Sequence, residues 1–89
     1  MSNKTIEQSV PKWFKGAVYA EGEEVTNKFS GESFELTGVE LSMYDFIIGS
    51  QMVMEMAPKR VTQKQINEFN KALNWFRRAN STAYMVLLD

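Results

Sequence analysis

The chain has 89 residues, 44% hydrophobic and 24% charged, with a formal net charge of −1. This length allows one domain with one core, and the composition argues against intrinsic disorder. There is no cysteine and no histidine, which excludes disulfides, thiol nucleophiles, Ser-His-Asp triads and zinc sites with thiolate or imidazole ligands. We therefore expect a protein that is not an enzyme and that holds no metal or cofactor.

The N-terminal stretch is polar, so no signal peptide is expected. The longest apolar stretch contains Glu40, Asp45 and Glu55, so no membrane span is predicted. These features predict a cytoplasmic protein with no membrane partner.

The charge is distributed unevenly along the chain. Residues 1–57 contain nine acidic and four basic residues, whereas residues 58–89 contain six basic and two acidic ones. A basic half can bind an anionic partner. It can also attract the acidic half within a subunit or across a dimer, and we favour this second interpretation because the overall charge is small.

The pattern of residues predicts an α+β fold that begins with an antiparallel β-meander. Residues 1–10 are polar and are predicted to be a disordered arm. Residues 12–36 are predicted to form two or three strands, with turns at Glu21–Gly22 and at residues 29–32 and a last short strand over residues 33–36. With a tight turn at Glu21–Gly22, Val18 faces Val25 and Phe14 faces Phe29 on one side of the sheet.

An antiparallel helical hairpin and a docked C-terminal turn are predicted to follow. The spacing of Thr37 and Glu40 is that of a capping box, and Pro58 ends the helix, so the central helix covers residues 38–57. Thr62 and Gln65 repeat the capping-box spacing, so a second helix is predicted over residues 63–79. It has one apolar face: Ile66, Phe69, Ala72, Leu73, Phe76 and Ala79. Asn80 is predicted to be a left-handed C-cap. The apolar tail, residues 81–89, is compatible with a helix or a strand; we favour the helix.

Two stretches of the chain resemble a known group of sequences. The run FSGESFELTGVELSMYDFIIG (residues 29–49) and the ending NSTAYMVLLD (residues 80–89) are similar to short uncharacterised proteins of marine cyanophages and related ocean viral sequences. The similarity extends from about Trp13 onward. It implies a viral protein made in a bacterial cytoplasm, and it implies no particular activity.

The central helix is apolar on nearly every side. One broad arc contains Val39, Met43, Tyr44, Phe46, Ile47, Val53 and Met54, and four residues fall outside it: Leu41, Ile48, Met52 and Met56. Such a helix is buried on more than one side, so these four residues are predicted to form the interface of a two-fold homodimer. The methionines Met43, Met52, Met54 and Met56 point in different directions. Methionine is common at surfaces that accept partners; the alternative is core filling.

A second candidate site is a basic stripe on the second helix. Lys64, Lys71 and Arg78 lie on one flank beside Trp75, a combination typical of phosphate contact with base stacking. The alternative, which we favour, is a solvated helix face in which Glu68 offsets the charge.

Two further groups carry carboxylates. The acidic residues at the predicted hairpin could bind a divalent cation or could simply be solvated: Glu21, Glu23, Glu24, Glu32 and Glu35. Asp45, with Ser42 and Gly49 in the least apolar sector of the central helix, could be a buried carboxylate with a perturbed pKa. The favoured alternative is a structural hydrogen bond to a tyrosine hydroxyl, to Arg77 or Arg78, or to backbone N–H groups.

The sequence thus predicts a small interaction or regulatory module. We expect it to form a homodimer through the central helix and to bind a protein partner that the sequence does not name. Nucleic-acid binding through the basic stripe is the alternative.

Overall fold

The computed structural model describes residues 9–88. In chain order, the elements are β1 (Glu23–Thr26), β2 (Ser33–Leu36), α1 (Gly38–Met56), a single 3₁₀ turn (Pro58–Arg60), α2 (Gln63–Ala79) and α3 (Ser81–Leu87). The predicted α+β class, with an N-terminal hairpin followed by helices, is confirmed. Most of the predicted arm, residues 1–8, and the last residue of the predicted tail lie outside the described residues.

The hairpin consists of β1 and β2, which pair antiparallel with Val25 opposite Phe34. Its turn is organised by Asn27, whose side-chain oxygen accepts hydrogen bonds from two N–H groups in the turn. Gly31 completes the turn with φ 79°, a conformation that glycine adopts without steric cost. The Asn27 side-chain amide also donates to the Val86 carbonyl at 2.8 Å. The turn is therefore attached to α3.

The strand predicted near the N-terminus does not form. Residues 12–20 follow an irregular path, so the predicted pairs Val18–Val25 and Phe14–Phe29 are wrong. Phe14 is instead buried in the core, where its ring packs edge-on against Phe46 at a centroid distance of 5.4 Å. Phe29 is fully exposed at the hairpin turn.

Contacts with α1 explain why this segment does not join the sheet. The Tyr19 N–H donates to the Ser42 hydroxyl at 2.8 Å, and that hydroxyl donates to the Gly38 carbonyl. A Cβ on Gly38 would lie 2.4 Å from the Tyr19 carbonyl oxygen. The small residues of α1 thus allow the irregular segment to lie directly against the helix and to form a hydrogen bond there.

The helix boundaries follow from the residues that cap them. Thr37 and Thr62 form the two predicted capping boxes, and the C-terminal segment is helical as favoured. The predicted left-handed conformation of Asn80 is wrong, because its φ and ψ are −154° and 82°. Its N–H donates to the Phe76 carbonyl at the end of α2, while its side-chain oxygen accepts from the Ala83 N–H at the start of α3.

The hydrophobic core lies at one end of the helical hairpin. It contains Phe14, Leu36, Met43, Ile47, Ala72, Phe76, Ala83 and Leu87. In α1 no residue after Ile47 is buried, and in α2 no residue before Ala72 is buried. The other end of the hairpin, residues 48–71, is therefore a projecting tip with no fully buried side chain.

A buried carboxylate holds the core end of the hairpin together. Glu40 is only 4% exposed. One of its oxygens accepts from the Thr37 N–H at 3.0 Å, and the other accepts from the Asn80 side-chain amide at 3.1 Å. Since Asn80 joins α2 to α3, this single side chain connects the start of α1 to the junction of the other two helices.

We predict that Glu40→Ala lowers the free energy of unfolding by about 2 kcal/mol, because it removes half of the capping box and takes an acceptor away from the Asn80 amide. The matched control is Glu55→Ala, an exposed position on the same helix, which should change stability by less than about 0.5 kcal/mol. Urea denaturation followed by circular dichroism measures both. Equal effects of the two substitutions would contradict this role for Glu40.

Candidate functional site

The projecting tip of the helical hairpin exposes apolar side chains. Met52 is 55% exposed, Val53 50% and Met56 81%, and Ile66 of α2 is also exposed. Side chains of this type are usually buried, and a contiguous exposed apolar patch marks a site of interaction. The tip is therefore the candidate functional site.

A groove of about 400 Å³ runs between α1 and α2 at this tip. It is lined by Phe46, Gly49, Ser50, Val53, Met54, Gln65 and Glu68. Gly49 leaves open space, because a Cβ built there would meet no atom within 4 Å. At the end nearest the core, Trp13 packs edge-on against Phe46 at a centroid distance of 6.0 Å.

The residues predicted to form the dimer interface do not share one environment. Met52 and Met56 are exposed at the tip. Leu41 is half-buried and packs against the core. Ile48 is half-buried on another side of α1, where it lines a second cavity of about 310 Å³ beside the hairpin turn and the end of α3.

The four methionines have different surroundings, as their directions on the helix predict. Met43 is completely buried in the core. Met54 is half-buried and lines the groove, whereas Met52 and Met56 face outward. One core thus takes only one of the four.

The basic stripe is exposed on α2, except for its aromatic member. Lys64, Lys71 and Arg78 are exposed, whereas Trp75 is half-buried and packs against the core with its ring 6.4 Å from that of Phe76. Glu68 lies in the wall of the groove. The stripe therefore offers positive charge, but its aromatic ring is partly occupied by contacts within the subunit.

The acidic residues of the hairpin are exposed and spread over its surface. Glu24 lies directly opposite Glu35 in the sheet, whereas Glu23 lies opposite Leu36. Among the residues that the structure describes, no three acidic side chains come close enough together to hold a metal ion.

Asp45 is exposed, so the alternative of a buried carboxylate is wrong, whereas the favoured alternative, a structural hydrogen bond to a tyrosine hydroxyl, is confirmed. Its partner is neither Arg77 nor Arg78 but the hydroxyl of Tyr19, which donates to the carboxylate at 3.1 Å. Ser42 is buried beneath the irregular N-terminal segment, and Gly49 lies in the groove. In the least apolar sector of α1, Ser42 therefore makes a contact within the subunit, whereas Gly49 lies at the open tip.

The carboxylate of Asp45 raises the pKa of Tyr19 above its ordinary value of 10.0, first through the hydrogen bond and then through charge repulsion of the phenolate. Burial raises the pKa of Tyr44, which lines the second cavity.

Within residues 9–88, none of the helices combines the length and the apolar character needed to cross a membrane.

We predict that the Tyr19–Asp45 bond contributes to stability only below the pH at which Tyr19 ionises. Since the folded-state pKa is raised, the contribution is complete below about pH 10 and is lost as the pH rises through the raised pKa. Ultraviolet absorbance of the phenolate measures the ionisation. Tyr19→Phe should remove an ionisation from the high-pH part of the titration. Asp45→Ala should shift the ionisation of Tyr19 to lower pH. An Asp45→Ala titration identical to that of the original protein would contradict the assignment.

The groove between α1 and α2 was not predicted from the sequence. A signal for it exists in the spacing of Phe46, Gly49, Val53 and Met56, which are three, four and three residues apart. This is the heptad spacing of helices that pack side by side.

Comparison with protein-family models, curated proteins and solved structures finds no match to this chain.

Proposed function

We propose that this protein is a small non-enzymatic interaction module that self-associates through the second half of α1. The observation that carries the proposal is the exposure of Met52, Val53 and Met56 on one projecting tip. A two-fold homodimer is the most common closed arrangement for such a patch. On the resemblance to cyanophage sequences, its place is the cytoplasm of an infected bacterium, as a regulatory or accessory factor that binds a host or viral protein.

The site chemistry supports a binding role over catalysis. The chain contains no histidine or cysteine. Asp45, the carboxylate considered for catalysis, is exposed, bonds to Tyr19 and lines neither of the two cavities described above. A general acid or base acts most effectively in a cleft that positions its substrate, and neither of these two cavities supplies such a cleft for Asp45.

We predict that at micromolar concentration the protein sediments at about twice the monomer mass of 10.2 kDa, and that Met52→Glu or Val53→Glu lowers this mass, because a carboxylate at an apolar interface is costly to desolvate. Met85→Glu is the matched control: Met85 is 67% exposed but lies on α3, so the dimer should persist. A monomer at every concentration tested would refute the proposal.

Nucleic-acid binding is the second candidate function, favoured by the exposure of Lys64, Lys71 and Arg78 on one flank of α2 beside Trp75. Phosphate contacts of this kind weaken steeply with salt. We predict that, if this function holds, fluorescence titration with single- and double-stranded DNA shows binding that fades as salt is raised. Lys71→Glu/Arg78→Glu should abolish that binding without unfolding the chain. Absence of binding at low salt would eliminate this candidate.

A further inference from the structure

The exposed face of α1 is a continuous seam that includes the floor of the groove. Phe46, Gly49 and Val53 line the groove, and Met56 extends the same line to the end of the helix. At about 1.5 Å per residue, the seam is about 15 Å long. It is separate from the core stripe of α1, which contains Met43 and Ile47. The helix therefore has one apolar stripe for its own subunit and a second that Trp13 and Phe14 cover only at Phe46, whereas Gly49, Val53 and Met56 are exposed.

This seam is complementary to itself when two copies run antiparallel. A two-fold axis level with Gln51, the midpoint of the seam, places Phe46 of one copy level with Met56 of the other. It also places Gly49 level with Val53. Gly49 has no side chain and leaves open space, which the Val53 side chain of the other copy can occupy. At the ends of the seam, Met56 meets the Phe46 and Trp13 rings, a favourable sulfur–aromatic contact.

The charges at the tip favour the same arrangement. The exposed charged residues of α1, Asp45 and Glu55, are both acidic. Asp45 lies on the flank of Met52 and Met56, since these residues are seven and eleven positions apart on the helix. In the antiparallel arrangement, Asp45 is level with Ala57 of the second copy, next to the exposed Lys59 and Arg60. Charge complementarity of this kind sets the register of an interface.

We propose that the groove between α1 and α2 is the docking site for α1 of a second copy of this chain, with the two helices antiparallel about an axis level with Gln51. Asp45 of each copy then faces Lys59 and Arg60 of the other. The arrangement rests on the proposed self-association and adds its register and charge pairing. Each copy inserts its tip beside the tip of its partner, so that α1 and α2 of the two copies form a four-helix bundle.

Charge reversal tests the pairing. Asp45→Lys and Lys59→Glu/Arg60→Glu should each weaken dimerisation by about tenfold or more, because like charges then face each other. The combination of all three substitutions should restore it. Glu55→Lys is the control on the same helix: Glu55 lies nearly opposite Val53 at about 100° per residue, so its reversal should leave dimerisation unchanged. Tyr19→Phe controls for loss of the Asp45 hydrogen bond within the subunit. The readout is the dimer dissociation constant from sedimentation equilibrium.

Cysteine crosslinking tests the register. Because the chain contains no cysteine, a single introduced thiol is unique. Ser50→Cys lies one residue from the proposed axis, so it should form an intermolecular disulfide rapidly under mild oxidation, when the two Cα atoms come within about 7 Å. Glu55→Cys, on the far side of the same helix, should crosslink no faster than random collision allows.

The outcomes separate this arrangement from self-association itself. Rapid crosslinking at position 50, together with restoration by the combined charge reversal, supports the arrangement. If the original chain dimerises but either result fails, the proposed arrangement is overturned while self-association stands. If the original chain stays monomeric in sedimentation, both are overturned.

Discussion

The fold depends on one buried carboxylate. Glu40 belongs to the capping box of α1, and it also accepts a hydrogen bond from Asn80, the residue that ends α2 and begins α3. A buried charged group is costly unless hydrogen bonds satisfy it, so the ends of three helices have to meet at this point. The core forms around that meeting point: Met43 and Ile47 of α1 contribute to it, together with Ala72 and Phe76 of α2 and Ala83 and Leu87 of α3.

Because the core lies at one end of the helical hairpin, the second half of α1 extends beyond the residues that bury its first half. The helix has 19 residues, and its last buried one is Ile47. The irregular N-terminal segment lies on Gly38 and Ser42, near the start of the helix, and its Trp13 and Phe14 rings reach only as far as Phe46. Since α1 is apolar on nearly every side, its far half keeps exposed methionine and valine side chains. We propose that an interaction with a partner at the tip buries these side chains.

The candidate sites could be foreseen to different degrees. The directions of the four methionines follow from helical spacing, so one buried and two exposed side chains are understandable from sequence. The environment of Asp45 is not, because its partner Tyr19 is 26 residues away and reaches it only through an irregular segment. The groove required knowledge of how α1 and α2 pack, although the heptad spacing of its floor was visible in the sequence.

By itself, the sequence determined the helix starts, through Thr37 with Glu40 and Thr62 with Gln65, and it determined the class of the fold. These are local signals, since a cap and its partner lie three residues apart. Only the tertiary structure decided that residues 12–20 pack on α1 and that the hairpin closes at Asn27. Strand pairing and burial depend on contacts between segments that are far apart in the sequence. Phe14, for example, is buried in the core and is not part of the sheet.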